Sequence, residues 1–254
     1  DFLKGISDEF IYVESETMED DIIPVKYLFR TYEEMPKCEQ VALSNAKGKV
    51  LDVGGGVGSH CLYLQNKGIN STLLDYSSGL CEVSQKRGVK SIIQHDFFSW
   101  ESREKYDSIL FMMNGIGIGG DLFSFHKVIE KSFELLNNGG QILFDSTDIS
   151  FCYEQEDGTT LIPLHIEYLG FVKFKLRYKN KKEFVRSSDE IFVQHYFAED
   201  FSTAKKIQTS LKNGVGENSI NLTGFLSGAR YLEKGVLPPF FDDPLFNSKN
   251  PVIG

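Results

Sequence analysis

The spacing of apolar positions changes twice along this chain. Between residues 49 and 145, short apolar runs recur at Lys49–Val53, Ser71–Asp75, Ser91–Gln94, Tyr106–Met113 and Gln141–Asp145. Continuous apolar runs bounded by turn residues fit strands that are covered on both faces. Between them the apolar positions fall at helical spacing. Helices are predicted over about 58–67, ended by Gly68, from Ser78 to about Arg87, and over Ser124–Leu136, where Asn138-Gly139-Gly140 turns into the fifth strand. Strands alternating with helices predict a mostly parallel, doubly wound α/β sheet with helices on both faces.

The flanks follow other patterns. Residues 1–21 contain an acidic run from Glu14 to Asp21 and are expected to be a solvated or frayed segment. Residues 22–46 predict two short helices broken near Pro36; Pro24 opens the first, with Val25, Leu28 and Phe29 one helical turn apart. After the fifth strand, Phe174, Leu176 and Tyr178 alternate with Lys173, Lys175, Arg177 and Lys179. That period predicts a half-exposed antiparallel strand with a basic outer face. Residues 190–197 read as another strand and Phe201–Leu211 as a helix, and the Gly-, Asn- and Pro-rich residues 213–254 show no clear element. The expected organisation is a helical cap over 1–48, a ligand-binding core over 49–150, a β insertion over 151–186, the end of the core over 187–212 and an irregular tail over 213–254.

Ligands of open parallel sheets lie outside the carboxyl ends of the strands. Here that edge is polar: Asp52, Asp75, Asp96 and Asn114 stand at or just past the ends of the first four core strands. The first strand runs into Gly54-Gly55-Gly56-Val57-Gly58, and a helix starts at once with Ser59 and His60. Glycines let the backbone adopt φ > 0 and let a ligand approach bare N–H groups. The helix N-terminus adds unpaired donors and partial positive charge. A dinucleotide fingerprint would need a third glycine where Ser59 stands. Asp52, two residues before the first glycine, would face a pyrophosphate badly and suits a sulfonium or ammonium group.

The string Asp52-x-Gly54-x-Gly56-x-Gly58 resembles motif I of class I S-adenosylmethionine-dependent methyltransferases. Leu74-Asp75-Tyr76-Ser77, Met112-Met113-Asn114-Gly115-Ile116-Gly117 and Leu143-Phe144-Asp145-Ser146-Thr147-Asp148 resemble a bacterial subgroup with a Met-Asn-Gly-Ile-Gly stretch after strand four. The resemblance spans roughly residues 22–180 and implies a Rossmann-like fold, S-adenosylmethionine as cofactor and a small-molecule methyl acceptor. Candidate cofactor contacts are Asp52, Gly54, Gly55, Gly56, Gly58 and His60 around the turn. Asp75, Tyr76 and Ser77 follow for the ribose, and Asp96 and Phe97 for adenine. Met113, Asn114 and Gly115 come after strand four, with Tyr27 and Arg30 from the preceding helices. If the acceptor needs a base, the candidates are Asp145, Asp148, Tyr153, His165 and His126. The β insertion is expected to cover the acceptor, and its basic stripe is either a solvated face or an attractor of acidic acceptors.

Composition narrows the rivals. A net charge of −9 argues against generic nucleic-acid binding. The stretch 111–119 also lacks the Asn/Asp-Pro-Pro-Tyr/Phe string of amino-directed DNA methyltransferases. The four cysteines have no C-x-x-C spacing, so neither a metal site nor a disulfide frame is expected. No apolar run reaches the roughly 20 residues of a membrane span, and a cytoplasmic setting is the expectation. A homodimer is compatible with the sequence. Two alternatives stay open: another nucleotide-cofactor enzyme on the same scaffold, such as an aminopropyl transferase or an NAD-dependent oxidoreductase, and a non-catalytic S-adenosylmethionine-binding protein.

Overall fold

The computed structural model describes residues 2–5, 9–15, 20–120, 122–147, 153, 155, 157, 159, 161, 171–179, 185–187, 191–194 and 221–227. In chain order the elements open with β1 (Phe10–Ser15), β2 (Asp21–Pro24), α1 (Val25–Leu28) and α2 (Lys37–Asn45). The core follows as β3 (Lys49–Val53), α3 (Ser59–Asn66), β4 (Asn70–Asp75), α4 (Ser78–Arg87), β5 (Ile92–Gln94), β6 (Tyr106–Phe111), α5 (Leu122–Leu135) and β7 (Leu136–Thr147). Then come β8 (Phe171–Lys179), β9 (Val185–Ser187), β10 (Ile191–Gln194) and β11 (Asn221–Ser227).

Six strands form a parallel sheet in the order β11-β7-β6-β3-β4-β5. The chain runs outward from β3 through β4 to β5, then restarts on the other side with β6 and β7. The strand order therefore reverses at β3, and the glycine turn that follows β3 lies at this switch point, where such sheets bind ligands. Alternate residues of β3 bury in opposite directions. Leu51 packs with Phe111, Phe144 and α5 residues Val128 and Ile129 on one face. Val50 packs with Leu110, Leu143, Ala42, Leu43 and Leu64 on the other. Burying each such large side chain contributes about 1.5–3 kcal/mol, so the sheet edge rests on a rigid floor.

Two boundaries differ from the sequence reading. Strand β6 stops at Phe111 because Met113 and Asn114 take left-handed backbone conformations, both with φ +59°. Strand β7 begins at Leu136 directly after α5, and Asn138–Gly140 is an irregularity within it. The register jumps there from Tyr106↔Leu136 to Ser108↔Gln141, with Gly139 at φ +76°, as expected of a bulge.

The second sheet is antiparallel, in the order β10-β8-β1-β2, with β9 pairing β8. Strand β8 is the antiparallel strand that the alternation predicted. Its central partner is β1, in the segment expected to be solvated: Val13 is buried and stands opposite Leu176. The acidic run and the basic stripe meet in this sheet, where Arg177 pairs with Glu14. That pair is partly exposed, so it contributes at most about 1 kcal/mol; the ladder holds the segment. Strand β10 packs against the 3₁₀ turn Gly115–Gly119, which seats the second sheet beside the carboxyl edge of the first. Strand β11, within the stretch expected to be irregular, adds an edge to the parallel sheet beside β7. No helix among the described residues is long and apolar enough to cross a membrane.

Candidate functional site

The glycine turn divides its residues into two kinds. A Cβ on Gly55 would lie 2.7 Å from Leu73 and 2.9 Å from the Asp52 carboxylate, and one on Gly58 would lie 2.5 Å from Val89. These two glycines let the turn pack down on β4 and α4. Gly54 and Gly56 have φ +69° and +55°, yet nothing lies within 4 Å of a Cβ on Gly54, and only the Gly54 carbonyl, at 3.8 Å, near one on Gly56. Their backbone faces open space.

Asp75 organises this space. Buried at the end of β4, its carboxylate accepts the Gly56 N–H at 3.1 Å and the Ser77 N–H at 2.9 Å. It thus fixes the turn against the next helix and keeps further lone pairs for a ligand. Ser77 caps α4, accepting the Leu80 N–H at 3.4 Å, and Tyr76 beside it is largely exposed. Asp96 is exposed, and its carboxylate accepts the Ser99 N–H and hydroxyl at 2.9 and 3.0 Å, a turn-capping arrangement. Phe97 is a core residue. Only 2% exposed, it packs edge-on against Phe98 and Phe111, which does not suit the expected stacking on a ligand ring.

Beneath the turn runs a buried chain of charges. Asp52 is 1% exposed, with Oδ1 3.6 Å from His60 Nδ1. His60 Nε2 lies 2.9 Å from Glu39 Oε2, and Arg30 Nη2 donates to both Glu39 oxygens at 2.5 and 2.6 Å. Arg30 Nη1 donates to the Tyr27 carbonyl at 2.8 Å, and its guanidinium lies 4.3 Å from the Tyr27 ring centre. Burial opposes charge on His60, but Asp52 and Glu39 on either side outweigh it and raise the imidazolium to about 10. Burial likewise opposes the Glu39 carboxylate, and His60 and Arg30 together hold it below its ordinary value. The chain alternates in sign and its charges balance. One donor in it stays unmet: Arg30 Nε is buried without a hydrogen-bond partner. An orphaned buried donor costs about 1–3 kcal/mol, and an anionic ligand group would satisfy it.

At the end of β7, Asp145 is 6% exposed and accepts the Asn114 N–H at 2.8 Å. Burial raises its carboxyl to about 7. Met113 is half-exposed beside it, and a Cβ on Gly115 would approach the Val53 carbonyl at 3.8 Å. The structure thus brings Tyr27, Arg30, Asp52, His60 and Asp145 into one electrostatic neighbourhood behind the glycine turn. Tyr153 is buried, and its carbonyl accepts the Leu161 N–H at 2.9 Å. Asp148, His165 and the side chain of His126 lie outside the described residues.

Glu39, which joins His60 to Arg30 in the buried chain, was missed in the sequence. Glu39 carried a signal: it shares the buried face of α2 with Cys38, Ala42 and Leu43, where an acid needs a partner.

No family model matches the chain, and no curated protein matches it. Solved structures do. A methyltransferase from Bacteroides fragilis, solved with S-adenosyl-L-homocysteine, is 34% identical, covers 82% of this chain and 81% of its own, and superposes with a TM-score of 0.69. The chain belongs to the S-adenosylmethionine-dependent methyltransferases. Two more distant methyltransferases share the fold. One from Clostridium acetobutylicum is 16% identical over 72% of this chain and 82% of its own, with a TM-score of 0.53. CcbJ from Streptomyces caelestis is 12% identical over 68% and 78%, with a TM-score of 0.54.

Proposed function

We propose that this methyltransferase binds S-adenosylmethionine at the turn after β3 and transfers its methyl group to a small-molecule acceptor. We further place it in the subgroup marked by Met113-Asn114-Gly115-Ile116-Gly117. The observation behind this reading is the turn itself, where Gly54 and Gly56 present bare backbone beside the Asp75 carboxylate. The Bacteroides fragilis relative, solved with S-adenosyl-L-homocysteine, supports the same cofactor.

The residues present fit that group. The Gly54–Gly56 backbone admits its close approach, and Asp75 accepts the ribose hydroxyls. Arg30 Nε, buried without a partner, matches the carboxylate of the amino-acid tail. Asp52 lies directly behind Gly55, where a side chain on the turn would meet its carboxylate. When bound, the cofactor supplies an electrophilic methyl group on a sulfonium centre. The protein's work is then orientation and exclusion of water. Holding two reactants in line contributes several kcal/mol to lowering the barrier. Segment 27–30 and the second sheet wall the edge where the acceptor approaches. Asp145, raised to about 7, is poised to take a proton near neutral pH if the acceptor releases one.

The test has two steps. Calorimetric titration with S-adenosylhomocysteine is expected to show one site per chain. Incubation with S-adenosylmethionine and a panel of small amines, alcohols and acids is expected to give acceptor-dependent S-adenosylhomocysteine, read by mass spectrometry. No binding, or preferential binding of a nicotinamide dinucleotide, would overturn the cofactor. Binding without turnover on any acceptor would favour a non-catalytic binding protein.

A further inference from the structure

Helix α1 is a single turn, Val25–Leu28, and a helix that short leaves its last carbonyls without intrahelical partners. Three successive carbonyls at its end are met by side chains. Tyr27 O accepts from Arg30 Nη1 at 2.8 Å, Leu28 O from Ser59 Oγ at 2.9 Å, and Phe29 O from Arg87 Nη2 at 3.4 Å. Ser59 is the first residue after the glycine turn, and Arg87 is the last residue of α4. The Arg87 guanidinium also donates through Nη1 to the Val57 carbonyl, inside the turn, at 2.7 Å, and to Ser59 Oγ at 3.0 Å. It lies 4.9 Å from the centre of the Phe29 ring, against which Phe2 also stacks at 4.2 Å. One planar fork therefore joins a carbonyl of the glycine turn to a carbonyl of the preceding segment, a geometry that a lysine ammonium does not reproduce.

We propose that residues 27–30 are a latch closed over the cofactor cleft, and that Ser59 and Arg87 are positioning residues that hold it shut. The proposal rests on the reading of this cleft as the cofactor site. It assigns Arg87 a role in how long the cofactor stays, without direct contact to the cofactor. Side-chain hydrogen bonds fasten the end of the latch, so opening it breaks these bonds and the Arg30–Glu39 pair but no strand ladder. Opening frees the path past Tyr27 and Arg30, and closing returns Arg30 to the buried charge chain.

The experiment uses the full chain as wild type, Ser59→Ala, Arg87→Lys and Arg87→Met. The methionine keeps an unbranched apolar stem for Phe29 and removes the fork. Stopped-flow release of S-adenosylhomocysteine is expected to be about tenfold faster in Arg87→Met, with association changed less than about threefold. Arg87→Lys and Ser59→Ala are expected to fall between it and wild type. In the ligand-free proteins, backbone amides at 27–30 are expected to exchange about tenfold faster in Arg87→Met while those of β3 and β4 do not change. If the methionine variant fails to fold, Arg87→Lys carries the same comparison. Intact binding with unchanged release and unchanged exchange at 27–30 would overturn the latch alone. A wild-type chain that binds no S-adenosylhomocysteine would overturn the cofactor reading and the latch with it.

Discussion

The carboxyl group of Asp145 accepts the backbone N–H of Asn114 at 2.8 Å, bridging the carboxyl ends of β7 and β6. The bond steadies a strained turn. Met113 and Asn114 are the only non-glycine residues with positive φ among those described, and such conformations cost about 1–3 kcal/mol each. They persist where the surroundings fix them and are often found where function requires that shape. Asp145, placed among the catalytic candidates from sequence, therefore has a structural task as well.

That task can be separated from its charge. Asp145→Asn keeps an oxygen for the Asn114 N–H, whereas Asp145→Ala does not. The alanine variant is expected to lose about 1–3 kcal/mol of stability and the asparagine variant much less. Burial raises the Asp145 carboxyl from 3.8 to about 7, so the folded protein holds a proton that the unfolded chain releases. Its penalty is absent below about pH 4, grows as pH rises and is complete above about pH 7. Wild type should therefore lose stability relative to Asp145→Asn from pH 4 to 7, at roughly 1.4 kcal/mol for each step of one in pH. Denaturant titrations at several pH values check this. A constant difference would mean that the carboxyl is not raised.

His60 gives the opposite window. Its imidazolium is raised to about 10 between Asp52 and Glu39. The stability it contributes is fully present below the unfolded value near 6.5 and is lost as pH rises to about 10. His60→Gln is expected to cost about 3–5 kcal/mol at pH 7, because it leaves two buried carboxylates without their bridge. It should also flatten the decline in melting temperature between pH 7 and 10. Equal alkaline slopes for both proteins would show that His60 is neutral in the fold.

The sheet edge was legible in the sequence because its signals are local. A strand, its terminal acid and the turn that follows lie within a few residues, as Asp52 and Gly54–Gly58 do. The charge chain was less legible because Glu39 meets partners 9 and 21 residues away, and an isolated glutamate on a helix usually reads as solvated. Strand β1 was hidden for the same reason at longer range. Val13 finds Leu176 only after the chain has passed through β3–β7, and the acids around it mask a short alternation. Phe97 misled in the other direction: an aromatic after an acid at a strand end suits ligand stacking, but its neighbours Phe98 and Phe111 draw it into the core.

The two kinds of glycine in the turn predict two kinds of variant. Gly54→Ala adds a methyl where nothing lies within 4 Å. It should fold with a loss of about 1–2 kcal/mol for the left-handed conformation, and its stabilisation by S-adenosylhomocysteine should largely vanish. Gly58→Ala drives a methyl to 2.5 Å from Val89 and 3.1 Å from Ser84. Overpacking adds about 1–3 kcal/mol to the same backbone cost, so this variant should melt well below Gly54→Ala. Thermal scans with and without ligand compare them. Full ligand stabilisation of Gly54→Ala would remove the turn from the binding site.

Among the described residues the second sheet shares no hydrogen-bonded ladder with the parallel sheet, and β10 sits on the 3₁₀ turn just past Asn114. A cover seated there would shape the acceptor's approach and leave the cofactor turn alone, since loops and appended elements set substrate choice on a shared scaffold. Deleting residues 154–184 would be a poor test, because it removes β8 and strips β1 of a partner. Val13→Asp is a cleaner one. Val13 is buried in β1, with Leu176 opposite on β8 and Asp21 opposite on β2. A carboxylate there is desolvated and stands across from another acid, so the sheet should loosen while β3–β7 remain packed. S-adenosylhomocysteine affinity should then stay within about tenfold of wild type, roughly 1.4 kcal/mol. Methyl transfer should fall by about a hundredfold, the cost of small misplacement of a reactant. Unchanged transfer would show that the sheet does not cover the acceptor, and loss of cofactor affinity would show that it holds the cofactor site instead.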